Sequence, residues 1–96
     1  MTAYVVINND VLDPDRYSEY AKLAPATVEA YGGKYLARGG KVEILEGDWV
    51  PARLVILQFE SVEQAKKWLN SPEYSEPRRM RQSAARSRMV VIEGAS

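Results

Sequence analysis

With 96 residues, 46% of them apolar and 27% charged, the chain has the composition of an ordinary folded domain. At that length it can build one core and not two, so a single domain over residues 1–96 is expected. Thirteen Lys and Arg balance thirteen Asp and Glu, and no overall field draws the molecule to nucleic acid or to an anionic membrane. Cysteine and histidine are both missing, which excludes disulfides, thiolate nucleophiles, cysteine-held metals, the usual imidazole base and the usual zinc or haem ligand.

The N-terminal stretch from Met1 to Ile7 has no basic start and reaches Asn8, Asn9 and Asp10 too soon for a signal sequence or a membrane span, so a cytoplasmic location is expected. Tyr4 to Ile7 is a β-branched and aromatic run that reads as a short buried strand. Asp13 and Pro14 suit the N-cap and first position of a helix. Tyr17, Tyr20, Ala21, Ala24, Val28 and Tyr31 then recur at helical spacing until Gly32 and Gly33. Pro25 falls inside that helix. It has no N–H to give, so the carbonyl near Ala21 is expected to lose its partner and the axis to bend.

Lys34 to Glu46 reads as one bent strand, with Gly39 and Gly40 marking a bulge or a close approach to the backbone. Gly47 to Pro51 turns the chain, and Arg53 to Phe59 forms the next strand. Ser61 and Gln64 make a capping box for a second helix whose buried stripe is Val62, Ala65, Trp68 and Leu69, and Asn70-Ser71-Pro72 stops it. A further helical segment is expected from about Pro72 to Ala85, then a last strand from Met89 to Ile92 and a tail at Gly94-Ala95-Ser96.

The order β, α, β, β, α, β predicts an α+β, ferredoxin-like fold: an antiparallel four-stranded sheet with its helices on one face. Strands one, three and four are nevertheless apolar on both faces, Val5 and Ile7 alternating with Tyr4 and Val6, Leu54 and Ile56 with Val55 and Leu57, and Met89 and Val91 with Val90 and Ile92. Helices cover one side only. The other face, roughly 19 by 17 Å for four strands of about five residues, is too large and apolar to leave wet. A second copy packed sheet against sheet is the expected partner.

The segments Tyr31 to Gly40, Leu45 to Arg53, Phe59 to Trp68 and Ser71 to Tyr74 closely resemble the family called domain of unknown function 1330 (DUF1330), and the likeness spans almost the whole chain. The resemblance implies a ferredoxin-like fold of the dimeric α-β barrel group. It implies no catalytic residues. Others in that wider group include cofactor-free oxygenases, small isomerases and haem enzymes, a link of fold alone.

Without His or Cys, a site must be built from carboxylates, arginines, tyrosines, lysines and backbone amides, which suits binding an anion or a polarised carbonyl. No cofactor is expected. Arg38, beside Gly39 and Gly40, either holds such a ligand or pairs with Glu43 or Glu46; Arg53 on the neighbouring strand would complete a fork around a carboxylate or an ion-pair lattice. A tyrosine or Glu46 is available for proton transfer. Most of the aromatic stock is expected in the core, with Trp49 and Tyr74 placed at the mouth of the site. Glu43, Glu46 and Asp48 are the carboxylates that could hold a hard cation, a weak metal signal because strand alternation parts the first two.

Arg78, Arg79, Arg81, Arg86 and Arg88 stand together with no acid among them. Aromatic interleaving is missing there, so a solvated face, or one pairing with acids across a dimer, is expected rather than nucleic-acid binding. No phosphate-loop or dinucleotide pattern occurs. Two functions remain open at this stage: a cofactor-independent enzyme acting on a carboxylate or carbonyl compound, and a non-catalytic ligand-binding or protein-interaction module.

Overall fold

The computed structural model describes residues 1–95; Ser96, the end of the expected tail, lies outside the described residues. The elements run β1 (Ala3–Val11), α1 (Pro14–Ala30), β2 (Lys34–Arg38), β3 (Arg53–Phe59), α2 (Val62–Leu69), α3 (Pro72–Ala84) and β4 (Ala85–Glu93). All neighbouring strands are antiparallel, in the order β2-β3-β1-β4, which is the ferredoxin-like sheet.

Strand β1 runs well past Ile7, through Asn8, Asn9 and Asp10. These polar residues signal a turn when isolated, but β3 and β4 flank them and supply ladder partners: Asn9 lies opposite both Arg53 and Ser87. The buried Asn9 amide donates to the Tyr17 hydroxyl at 2.9 Å and accepts from the Ser87 hydroxyl at 2.6 Å, so its burial is compensated. Strand β4 likewise begins at Ala85, four residues before Met89. It follows α3 with no loop, and the Ala84 carbonyl at the junction accepts the N–H groups of Leu12 and Asp13.

Helix α1 is capped by the Asp13 carboxylate, which accepts the Arg16 N–H at 3.2 Å, and it stops at Gly32 with φ +75°. The carbonyl left free by Pro25 is that of Ala21, and the Arg38 guanidinium takes it with a 2.5 Å hydrogen bond from Nη2. Arg38 thus repairs from across the structure a defect made within the helix. This coupling predicts a double-mutant result: Arg38→Ala costs about 0.5–1.5 kcal/mol in wild type. In a Pro25→Ala background, where residue 25 regains its own N–H for Ala21, most of that cost disappears. Urea unfolding of the four proteins measures it.

Helix α2 realises half of its capping box. Ser61 accepts the Gln64 N–H at 3.0 Å, but the Gln64 side chain donates to the Tyr31 carbonyl instead of returning to Ser61. The expected bent strand from Lys34 to Glu46 ends at Arg38, and residues 40–52 form neither strand nor helix. Gly39, at φ +69°, donates its N–H to the Leu54 carbonyl; the chain then leaves the sheet, and no strand stands beside the next residues to accept a ladder. The bulge also lies earlier than the glycines suggest, at Leu36, between the pairs Tyr35–Leu57 and Ala37–Ile56. It has a consequence for the site: Tyr35 and Arg38, which strict alternation would send to opposite faces, both meet the helix side.

The core lies wholly between the helices and one face of the sheet, with Val5, Ile7, Val55, Leu57 and Phe59 beneath Tyr17, Tyr20, Ala24, Val28, Ala65, Trp68 and Tyr74. On the opposite face no residue of Tyr4, Val6, Leu54 and Ile56 is buried, and Val90 and Ile92 are 62% and 60% exposed. The molecule is a slab of 35 × 32 × 16 Å, one sheet and one helix layer thick. Among the described residues no helix is long and apolar enough to cross a membrane.

Candidate functional site

Helix α1 and the β2–β3 side of the sheet enclose a cleft lined by Asn9, Tyr17, Tyr20, Tyr35, Arg38 and Arg53 over an aliphatic floor. The structure therefore brings Arg38, Gly39 and Arg53 together as the sequence suggests. Arg38 lies 4.8 Å from the Tyr35 ring centroid and Arg53 5.5 Å from that of Tyr17, both in cation–π range. Glycine suits position 39 because its φ of +69° is one that L side chains rarely adopt, and a Cβ there would also crowd the Arg53 guanidinium and oblige it to shift.

The same contacts close the cleft. About 10 Å³ of free space remains, room for no more than one water. Arg38 is committed to the Ala21 carbonyl, and among the described residues it pairs with neither Glu43 nor Glu46. The ionisable groups within are poorly matched to proton transfer near neutrality. Burial, reinforced by the neighbouring Tyr74, drives the Tyr20 hydroxyl far above its ordinary range. Tyr35 is pushed up to about 12 by burial, with Arg38 opposing. Among the described residues no carboxylate lines the cleft.

The remaining expected residues lie elsewhere. Glu46 and Trp49 are exposed in the 40–52 segment, and no atom lies near the position a Cβ would take on Gly40. Tyr74 starts α3 as the spacing suggests but is fully buried, not at a mouth; its hydroxyl lies 2.7 Å from that of Tyr20 and accepts from Arg81 Nε at 3.2 Å. Glu43, Glu46 and Asp48 form no metal cluster among the described residues. At the outer end of α1, Tyr31 donates to Glu73 at 2.7 Å, a bond that raises the phenol and lowers the carboxyl.

The arginine run is not one solvated face. Arg79 pairs with Glu76 at 2.7 Å, Arg86 and Arg88 stand exposed on β4, Arg78 is half-buried, and Arg81 is only 5% exposed. Arg81 is the residue that composition hides. Its signal is periodic: Tyr74, Pro77, Arg81 and Ala84 fall on one buried stripe of α3, so a cation stands where the pattern calls for an apolar residue.

Residues 2–95 match the family described as domain of unknown function (DUF1330). The chain belongs to that family. No curated protein matches it. Among solved structures it is similar to a protein of unknown function from Rhodopseudomonas palustris, at 21% identity and TM-score 0.76, covering 99% of this chain and 83% of the other. It is similar to SnoaB, a cofactor-independent oxygenase from Streptomyces nogalater, at 10% identity and TM-score 0.67, covering 99% and 94%. A third, described as a dimeric protein of unknown function with a ferredoxin-like fold from Bacteroides fragilis, shares 10% identity at TM-score 0.58, covering 97% and 96%. At these identities the likeness is one of fold, and it confirms the ferredoxin-like arrangement expected of this DUF1330 chain.

Proposed function

We propose that the protein is a homodimer closed sheet against sheet, and that each protomer is a small-molecule-binding module rather than an enzyme working in the Arg38 cleft. One observation carries the first part: every helix lies on one face of a sheet whose strands are apolar on both. A two-layer slab leaves Val6, Leu54 and Ile56 only partly buried and Val90 and Ile92 exposed. The segment beyond β2 adds exposed apolar side chains, Leu45 at 92%, Trp49 at 59% and Val50 at 73%, that can extend such an interface beyond the sheet. The dimeric state described for the Bacteroides fragilis structure supports the reading. The same reading puts the dimer in the cytoplasm.

The closed cleft speaks against catalysis at Arg38 and leaves binding to a site elsewhere on the protomer. Arg38, Arg53 and the tyrosines occupy the space a substrate would need, and neither Tyr20 nor Tyr35 is poised as a base near neutral pH. A cofactor-independent oxygenase, as SnoaB is described, is the rival reading, and the aromatic lining of the cleft favours it. It requires that cleft to open. Equilibrium sedimentation at 10 µM tests the assembly: a species of twice the 10.8 kDa chain is expected, and a single-chain mass contradicts it.

A further inference from the structure

Small-molecule binding, taken from the reading above, needs a cavity, and the Arg38 cleft does not offer one. We propose that the ligand site is the groove between α2, α3 and β4, and that its ligand is a monocarboxylate on a compact apolar body, an aryl or short acyl group.

The groove exists because the helix layer is incomplete. Met89 and Val91 lie on the helix-facing side of β4, opposite Ile7 and Val5. Yet Met89 is only half-buried and Val91 is 36% exposed. Helix α2 has eight residues and α3 packs chiefly on α1, so neither roofs this edge of the sheet. The opening measures about 570 Å³, within the range of small-molecule sites, with Trp68, Leu69, Met89 and Val91 as its apolar surface.

Its charge is one-sided. Lys66, Arg78, Arg81 and Arg86 line the groove and, among the described residues, no acid does, in a molecule whose total charge is zero. Among the described residues Arg81 has no counterion, and Arg78 keeps a buried donor without a partner. Arg81, 5% exposed, donates Nε to the Tyr74 hydroxyl, but among the described residues no carboxylate comes within ion-pair distance of it. Arg78 donates Nη1 to the Leu69 carbonyl and Asn70 Oδ1, while its Nε is buried with no acceptor. A guanidinium has five N–H donors, and withdrawing it from water without an anion is unfavourable. A carboxylate accepts two parallel N–H bonds from such a fork. An apolar floor beside that fork favours a ligand that is anionic at one end and greasy at the other over a free inorganic anion.

Calorimetric titration with 2-naphthoate, its neutral amide 2-naphthamide and inorganic phosphate tests this. The naphthoate is expected to bind at least 10-fold more tightly than either of the others. Arg81→Gln and Arg78→Gln each weaken it by about 10- to 100-fold, the loss of a charge-assisted hydrogen bond. Should Arg81→Gln fail to fold, Arg78→Gln and Val91→Glu, both at partly exposed positions, carry the test, the latter placing a repelling carboxylate on the floor. Arg38→Ala leaves the affinity unchanged. Equal binding of the amide, or naphthoate affinity untouched by Arg78→Gln and Val91→Glu, overturns the groove assignment. If Arg38→Ala alone abolishes binding, the ligand-binding reading survives and its site is the α1 cleft. If none of the three compounds binds wild-type protein at millimolar concentration, the groove assignment and the ligand-binding reading fall together.

Discussion

Ile56→Glu is expected to convert the dimer to folded monomers, raising the dimer dissociation constant at least 100-fold. Ile56 sits at the centre of the bare face, on β3 between its partners Val6 on β1 and Ala37 on β2. Within one protomer Ile56 is only partly buried, so a carboxylate there can still reach water and costs the isolated chain less than it costs the dimer. Across a twofold interface the same substitution enters twice, bringing two like charges into a largely apolar layer. An unpaired buried charge costs about 3–5 kcal/mol, which is the stated change in affinity or more. Sedimentation should show the single-chain mass with an unaltered far-ultraviolet dichroism spectrum. Leu23→Glu, at a position 48% exposed on α1, is the control and should leave the dimer intact. A dimer that survives Ile56→Glu would place the contact elsewhere.

Trp68→Ala is expected to have the largest effect on stability, about 3–5 kcal/mol. The indole is 1% exposed, its ring centroid 5.4 Å from Phe59 and 4.2 Å from Tyr74, so it ties α2 to the sheet and to α3 at once. Its Nε1 donates to the Thr27 hydroxyl at 3.1 Å, which in turn donates to the Ala24 carbonyl at 2.7 Å. Truncation opens a cavity that three elements cannot collapse together and leaves Thr27 short of a partner. In a domain with about 5–15 kcal/mol in total, such a loss is a large share. It should lower the melting temperature by about 12 °C or more at 4–8 °C per kcal/mol. Trp68→Phe retains much of the packing and should cost markedly less. A loss below 1 kcal/mol for the alanine variant in urea unfolding, with an unchanged m-value, would show that the core does not hinge on this ring.

How far residue patterns reach is clearest where local and distant causes meet. Pro25 predicts an orphan carbonyl at Ala21 from chain chemistry alone; that Arg38, 17 residues on, supplies its donor depends on the Leu36 bulge, and no periodicity marks that bulge. Gly39 and Gly40 suggest a bulge within one bent strand, whereas the chain leaves the sheet there, because no other strand stands alongside the residues that follow. Asn8 to Asp10 spell a turn locally and become strand because β3 and β4 flank them. Of the expected site residues, Arg38, Gly39 and Arg53 meet, whereas Glu46, Trp49 and Tyr74 part, one in the core and two in solvent.

What the sequence by itself determined is the order of elements, their caps and the greasiness of both sheet faces. These rest on periods of two and 3.6 residues and on neighbours within one turn. Only the tertiary structure decided where each guanidinium ends: Arg38 on a helix carbonyl, Arg53 against Gly39, Arg81 buried beside an apolar groove with no acid at hand among the described residues. A long, many-jointed cation reaches partners far along the chain, so its resting place is set by which elements pack together and not by the residues beside it.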